Sequence, residues 1–124
     1  MSKGVDDDDT WEGQVTQALQ VDVQDFAQTS RPFILQLVQG PDAPKRYRLD
    51  VENMRVGRAP DAEIRVPSAE LSRCHMTLKR QGNQFRCQDN NSRNGVYLNG
   101  VRIHSAILRD GDTIQLGNVV FIYY

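Results

Sequence analysis

The sequence predicts an all-β domain, an antiparallel sandwich or barrel, behind an acidic leading segment. Two observations predict it. From Pro32 onward, short apolar-rich stretches alternate with Gly, Pro and Asn turn residues, and none is long enough to suggest a helix. Residues 1–30, in contrast, hold few large apolar side chains and no turn-bounded strand.

Ten strands are expected in order. Phe33–Gln39 alternates, with Phe33, Leu35 and Leu37 on one face and Ile34, Gln36 and Val38 on the other, until Gly40-Pro41-Asp42 breaks it. Arg46–Leu49, Met54–Gly57 and Ile64–Val66 follow as short strands. His75–Arg80 puts Met76, Leu78 and Arg80 on one side and His75, Thr77 and Lys79 on the other. Gly82-Asn83 turns the chain into Gln84–Gln88, which aims Phe85 and Cys87 one way. Val96–Leu98 and Val101–Ile103 flank Asn99-Gly100, and Thr113–Leu116 and Val119–Tyr124 flank Gly117-Asn118. Both pairs read as hairpins, because Asn and Gly accept the positive φ of a tight turn. The apolar last strand is expected to pair internally with Phe33–Gln39.

Charge divides the chain. Residues 1–30 carry seven carboxylates against Lys3, a net −6, and residues 31–124 carry fourteen basic against nine acidic groups, a net +5. The basic body points to an anionic partner. The leading segment, with its Asp6–Asp9 run, reads as mostly disordered; a short amphipathic helix is conceivable through Val15, Ala18, Leu19, Val23 and Phe26, but alone it is marginal. Trp11 in this segment fits an unstructured residue and a partner anchor equally. No apolar run approaches the roughly 20 residues of a membrane helix, and no signal-peptide pattern opens the chain, so a cytoplasmic location is expected. Cys74 and Cys87 are expected to be reduced core thiols, and neither has a second ligand at metal spacing. No metal or cofactor is expected, and His104 reads as a surface loop residue.

The chemistry concentrates in the loops. There is no nucleophile elbow, zinc-protease or Walker motif, so no enzyme is predicted. Scattered basic residues with 7% aromatics argue against nucleic acid. What stands out is Gly57-Arg58, then Ser72-Arg73-Cys74-His75, then Asn91-Ser92-Arg93-Asn94-Gly95. A guanidinium matches two phosphate oxygens and a hydroxyl donates to a third. The Asn94 amide suits an extended peptide backbone, and Gly95 lets the chain turn so that Asn94 points outward.

Gly57-Arg58, Ser72-Arg73-x-His75 and Asn94-Gly95, in that order and spacing, resemble the signature of forkhead-associated domains over residues 32–124. Asp61-Ala62-Glu63-Ile64, Asn99-Gly100 and Leu108-Arg109-Asp110-Gly111-Asp112 fit the same family. The resemblance implies a two-sheet antiparallel β-sandwich of about eleven strands that recognises phosphothreonine peptides through end loops. It implies that Arg58 and Ser72 contact the phosphate, that Arg73 adds charge or reaches a peptide oxygen, and that Asn94 holds the peptide backbone. It makes His75 structural, holding Ser72 in place, with Gly57 and Gly95 as further supports. Glu70 and Arg93 depart from common members and are candidate specificity residues.

The function so implied is a phosphothreonine-dependent adaptor in Ser/Thr-kinase signalling, partnered by a phosphorylated protein and not by nucleic acid or membrane. A scaffold role in a secretion or division machine, with or without phosphate, is the alternative. Thr10, Thr16 and Thr29 are candidate phosphoacceptors through which the acidic segment would regulate the domain. The oligomeric state is left open.

Overall fold

Alternation of buried and exposed residues along each strand decides which face turns inward. The computed structural model describes residues 32–124, and the readings for Thr10, Trp11, Thr16 and Thr29 lie outside the described residues. Eleven strands follow one another, and the described residues contain no helix. They are β1 (Ile34–Gln39), β2 (Lys45–Arg48), β3 (Asn53–Gly57), β4 (Ile64–Arg65), β5 (Met76–Gln81) and β6 (Gln84–Asp89). After them come β7 (Val96–Leu98), β8 (Val101–Ile103), β9 (Ser105–Ile107), β10 (Thr113–Leu116) and β11 (Val119–Tyr123).

They form two sheets, one ordered β2-β1-β11-β10-β7-β8 and the other β4-β3-β5-β6-β9. Leu35 and Leu37 of β1, Ile114 and Leu116 of β10, and Phe121 of β11 point inward from the first sheet. Val56, Met76, Leu78, Phe85 and Cys87 meet them from the second. The rim is closed by aromatics: Phe33 packs edge-on against Phe85 at 5.2 Å, and the Arg80 guanidinium lies 5.0 Å over the Phe33 ring. Arg80 thus shares the inward side with Met76 and Leu78, as its position in the alternation predicts.

The last strand pairs with the first, Phe121 opposite Leu37 and Tyr123 opposite Leu35. Asn99 and Gly100 adopt φ of 50° and 86°, so the hairpin turn joining β7 and β8 has the positive φ at both central residues that Asn-Gly supplies.

Four readings need correction. The sandwich is not wholly antiparallel, because β3 and β4 pair in parallel, Val56 opposite Ile64. Strand β9 was not expected. Its Ala106 and Ile107 pair with Cys87 and Arg86 of β6, a long-range contact that the Ser-Ala-Ile sequence does not announce. His75 does not share an outward face with Lys79: it precedes β5 in the loop and is completely buried. Cys74 is only half-buried and accepts a 3.2 Å contact from Asn90 Nδ2, whereas Cys87 is a core thiol. Burial pushes the Cys87 thiol up to about 11. Both cysteines are free. No helix among the described residues is long and apolar enough to cross a membrane.

Candidate functional site

The second sheet presents the site through the loops at its end. Arg58 follows β3 directly, and two backbone bonds fix its loop to the 72–73 segment: Arg58 N–H donates to Ser72 O (3.2 Å) and Ala59 N–H to Arg73 O (3.1 Å). This approach requires glycine at 57, although its φ is unremarkable. A Cβ there would overlap the Arg73 carbonyl oxygen and lie 2.9 Å from that of Ser72. Gly57→Ala is therefore expected to force the two loops apart, destabilising the domain by about 1–3 kcal/mol. Thermal melts beside a wild-type control check this.

The β3–β4 connection is braced from outside. Arg55 Nη2 meets Glu63 Oε2 at 3.0 Å, Nε meets Oε1 at 3.1 Å, and Nη1 reaches Asp61 at 3.4 Å. Hydrogen bonding to Arg55 lowers the Glu63 carboxyl to about 2. A depressed carboxylate stabilises the fold fully above its unfolded pKa, and that contribution is lost as pH falls through the folded value. Acid titration between about pH 4.5 and 2 should therefore remove it. Glu63→Gln should flatten this limb of the stability curve and lower neutral-pH stability by the same amount, a small one because the pair is exposed. Urea midpoints measured across that range check it.

Arg58 itself is exposed at its end and anchored at its base, because Nε donates to Leu71 O at 2.9 Å. Its two Nη groups make no hydrogen bond or ion pair among the described residues. Ser72 Oγ accepts the Arg93 N–H at 3.1 Å, which leaves its own proton to donate. Asn94 Nδ2 donates to Glu70 O at 2.7 Å, which holds the amide and leaves Oδ1 to accept. Arg73 and Arg93 are exposed and unpaired among the described residues. The Glu70 side chain lies against Gly117 in the β10–β11 turn, since a Cβ on Gly117 would sit 2.9 Å from both Glu70 Cβ and Oε1.

His75 ties these loops together. Ser72 N–H donates to His75 Nδ1 at 3.0 Å, so Nε2 carries the ring proton and donates to Gly95 O at 2.8 Å. Gly95, at φ 80°, takes the backbone conformation that brings this carbonyl to the ring. Arg58, Ser72, Arg73, Glu70, Arg93, Asn94, Gly57, His75 and Gly95 thus belong to one interlocked loop cluster.

Several supporting contacts were not assigned from the sequence. Asp89 Oδ1 accepts Ser92 N–H (3.0 Å) and Ser92 Oγ accepts Gly95 N–H (3.0 Å), which shapes the 89–95 loop. Asn90 Nδ2 donates to Thr77 Oγ1 at 2.8 Å. The polar run Asp89-Asn90-Asn91-Ser92 was the available signal, since such side chains cap their own turns. Ser68 Oγ at 2.8 Å from Asn118 Oδ1 joins the 68–72 segment to the last hairpin and had no such signal.

A two-sheet sandwich with an arginine-rich loop cluster at one end defines a class of phosphopeptide-recognition domain. The FHA domain family model matches residues 54–117, and the chain belongs to that family. It is similar to the oxoglutarate dehydrogenase inhibitor of Corynebacterium jeikeium, 36% identical over 73% of this chain and 62% of that protein. It is also similar to the glycogen accumulation regulator GarA of Mycolicibacterium smegmatis, 33% identical over 73% of this chain and 57% of that protein. The chain thus spans less than two thirds of the curated relatives it matches. A solved structure described for phosphothreonine-dependent FHA domain interactions is 31% identical, covers 75% of this chain and 95% of its own, and superposes with a TM-score of 0.69.

Proposed function

We propose that this domain is a phosphothreonine-dependent protein-binding module of Ser/Thr-kinase signalling, acting in the cytoplasm without catalysis. The observation that carries the reading is the disposition of Arg58: Nε is anchored on Leu71 O while neither Nη group has a partner among the described residues, beside a Ser72 hydroxyl held by Arg93 N–H. Arg58 and Ser72 take the phosphate oxygens, and Arg73 adds positive charge. Asn94 Oδ1 accepts a backbone N–H of the extended peptide. Arg93 and Glu70, in the same loops, bias the neighbouring peptide residues. Preference for threonine over serine rests on the γ-methyl, worth about 1 kcal/mol by burial, with shape supplying the rest.

The names of the relatives, an enzyme inhibitor and a regulator, support regulation by binding over bond-breaking chemistry. Calorimetric titration with a phosphothreonine peptide library and its unphosphorylated counterparts tests the proposal. Micromolar binding of phosphorylated members only is expected, and equal binding of both forms would defeat it. The scaffold alternative is separated by phosphatase treatment of the partner, which should abolish capture under the present reading.

Thr10, Thr16 or Thr29, once phosphorylated, would be a ligand of the same class at high effective concentration. Unchanged chemical shifts at Arg58 and Asn94 after kinase treatment would remove that regulatory step.

A further inference from the structure

We infer that Arg102, with the open cavity it lines, reads a second anionic side chain of the bound peptide, close in sequence to the phosphothreonine. This rests on the phosphothreonine reading of the Arg58 site. Arg102 projects from β8, where it pairs with Tyr97 of β7. Its guanidinium packs on the recognition loop itself, because residue 95 has no side chain. A Cβ on Gly95 would lie 2.8 Å from Arg102 Nε, 3.0 Å from Cζ and 3.1 Å from Nη2. The cation is therefore held against the residue next to Asn94. It is exposed and makes no hydrogen bond or ion pair among the described residues.

Asp89, Asn91, Ile103 and His104 complete a cavity of about 570 Å³ around it. The one carboxylate there, Asp89, is 9% exposed and has Oδ1 committed to Ser92 N–H, so it braces the loop and forms no ion pair with Arg102. Apart from Asp89, the polar residues lining the cavity are Arg102, Asn91 and His104.

This is an anion site by its chemistry. A guanidinium already packed against backbone loses little freedom on pairing, and its fork matches a carboxylate or a phosphate. Asn94 and Gly95 belong to one loop, and an extended peptide advances about 3.3 Å per residue. A side chain a few residues from the phosphothreonine therefore reaches Arg102 while the phosphate stays with Arg58. The second anion is a glutamate or aspartate, or a second phosphorylated residue, and both present the oxygens that the guanidinium needs.

The test is a series of phosphothreonine peptides in an alanine background, with one glutamate moved through successive positions on either side. A matching series carries phosphoserine in its place. Both are titrated into the full chain and into Arg102→Gln. One position should bind about three- to fivefold tighter with glutamate. The gain should be larger with phosphoserine, which carries about two charges, and should shrink in high salt. It should vanish in Arg102→Gln, for which the glutamate-bearing, phosphoserine-bearing and plain phosphopeptides should all bind alike. A flat profile, or a peak that survives Arg102→Gln, overturns the inference. Failure of the plain phosphopeptide to bind the wild-type chain would instead sink the reading of the Arg58 site.

Discussion

Arg58→Ala is expected to weaken phosphothreonine-peptide binding by about 2–5 kcal/mol, roughly 30- to 5,000-fold, without unfolding the domain. The size follows from what is lost. The phosphate forfeits a bidentate, charge-assisted partner in a site whose loops partly exclude water. Stability is spared because the side chain is exposed at its end and its single side-chain bond among the described residues, Nε to Leu71 O, joins one loop to another. Arg58 N–H still donates to Ser72 O and the Arg58 carbonyl still accepts from Arg65 Nε, since neither bond uses the Arg58 side chain. Arg58→Lys separates charge from geometry: the ammonium keeps the charge but neither reproduces the fork nor reaches Leu71 O in the same way. It should recover only part of the affinity. Calorimetry on the three proteins with one phosphopeptide, beside their thermal melts, decides the matter. Arg58→Ala within threefold of wild type would be incompatible with a phosphate held at this guanidinium.

The strands were legible where side chains alternate across a buried face. Leu35 and Leu37, Met76 and Leu78, and Phe85 and Cys87 announce their strands because one-residue spacing sends both members inward. Strand β9 was not legible, because Ser105, Ala106 and Ile107 are all half-buried and owe their conformation to β6 across the sheet. The parallel β3–β4 pair was hidden for a related reason: two residues, Ile64 and Arg65, carry no directional signal. At the site, the polar residues were readable as types, and their order pointed to the loops that the fold brings together. Their commitments were not readable. That Asn94 Nδ2 donates to Glu70 O, or that the Arg102 guanidinium rests on Gly95, depends on backbone carbonyls and close approaches that no side-chain pattern encodes. His75 shows both sides. Hydrogen bonds from its ring within the loops were expected and are present to Ser72 N–H and Gly95 O, but its burial was not expected, because period-two counting extended the strand one residue too far into a turn.

His75→Ala is expected to cost about 3–5 kcal/mol of stability and to weaken phosphopeptide binding as well. The ring is completely buried and links two segments twenty residues apart. Its removal strands the Ser72 N–H and the Gly95 carbonyl, each at about 1–3 kcal/mol when left unsatisfied, and opens a cavity where an imidazole was packed. Against a total of about 5–15 kcal/mol for a domain, that loss should pull the urea midpoint sharply down. The effect on binding is separate. In the proposed function Ser72 donates to phosphate, which needs its backbone held, and Asn94 is next to Gly95, so both recognition loops should loosen together. Affinity corrected for the folded fraction should therefore fall about tenfold or more, of the order seen when groups supporting a site are removed. His104→Ala is the internal control, because that residue is exposed and its backbone carbonyl, not its ring, accepts Asp89 N–H at 2.8 Å. It should shift stability by less than about 0.5 kcal/mol. If the two alanine variants unfold at the same urea concentration, the imidazole does not hold the recognition loops, and Ser72 must be positioned by the Arg58 and Arg93 backbone contacts alone.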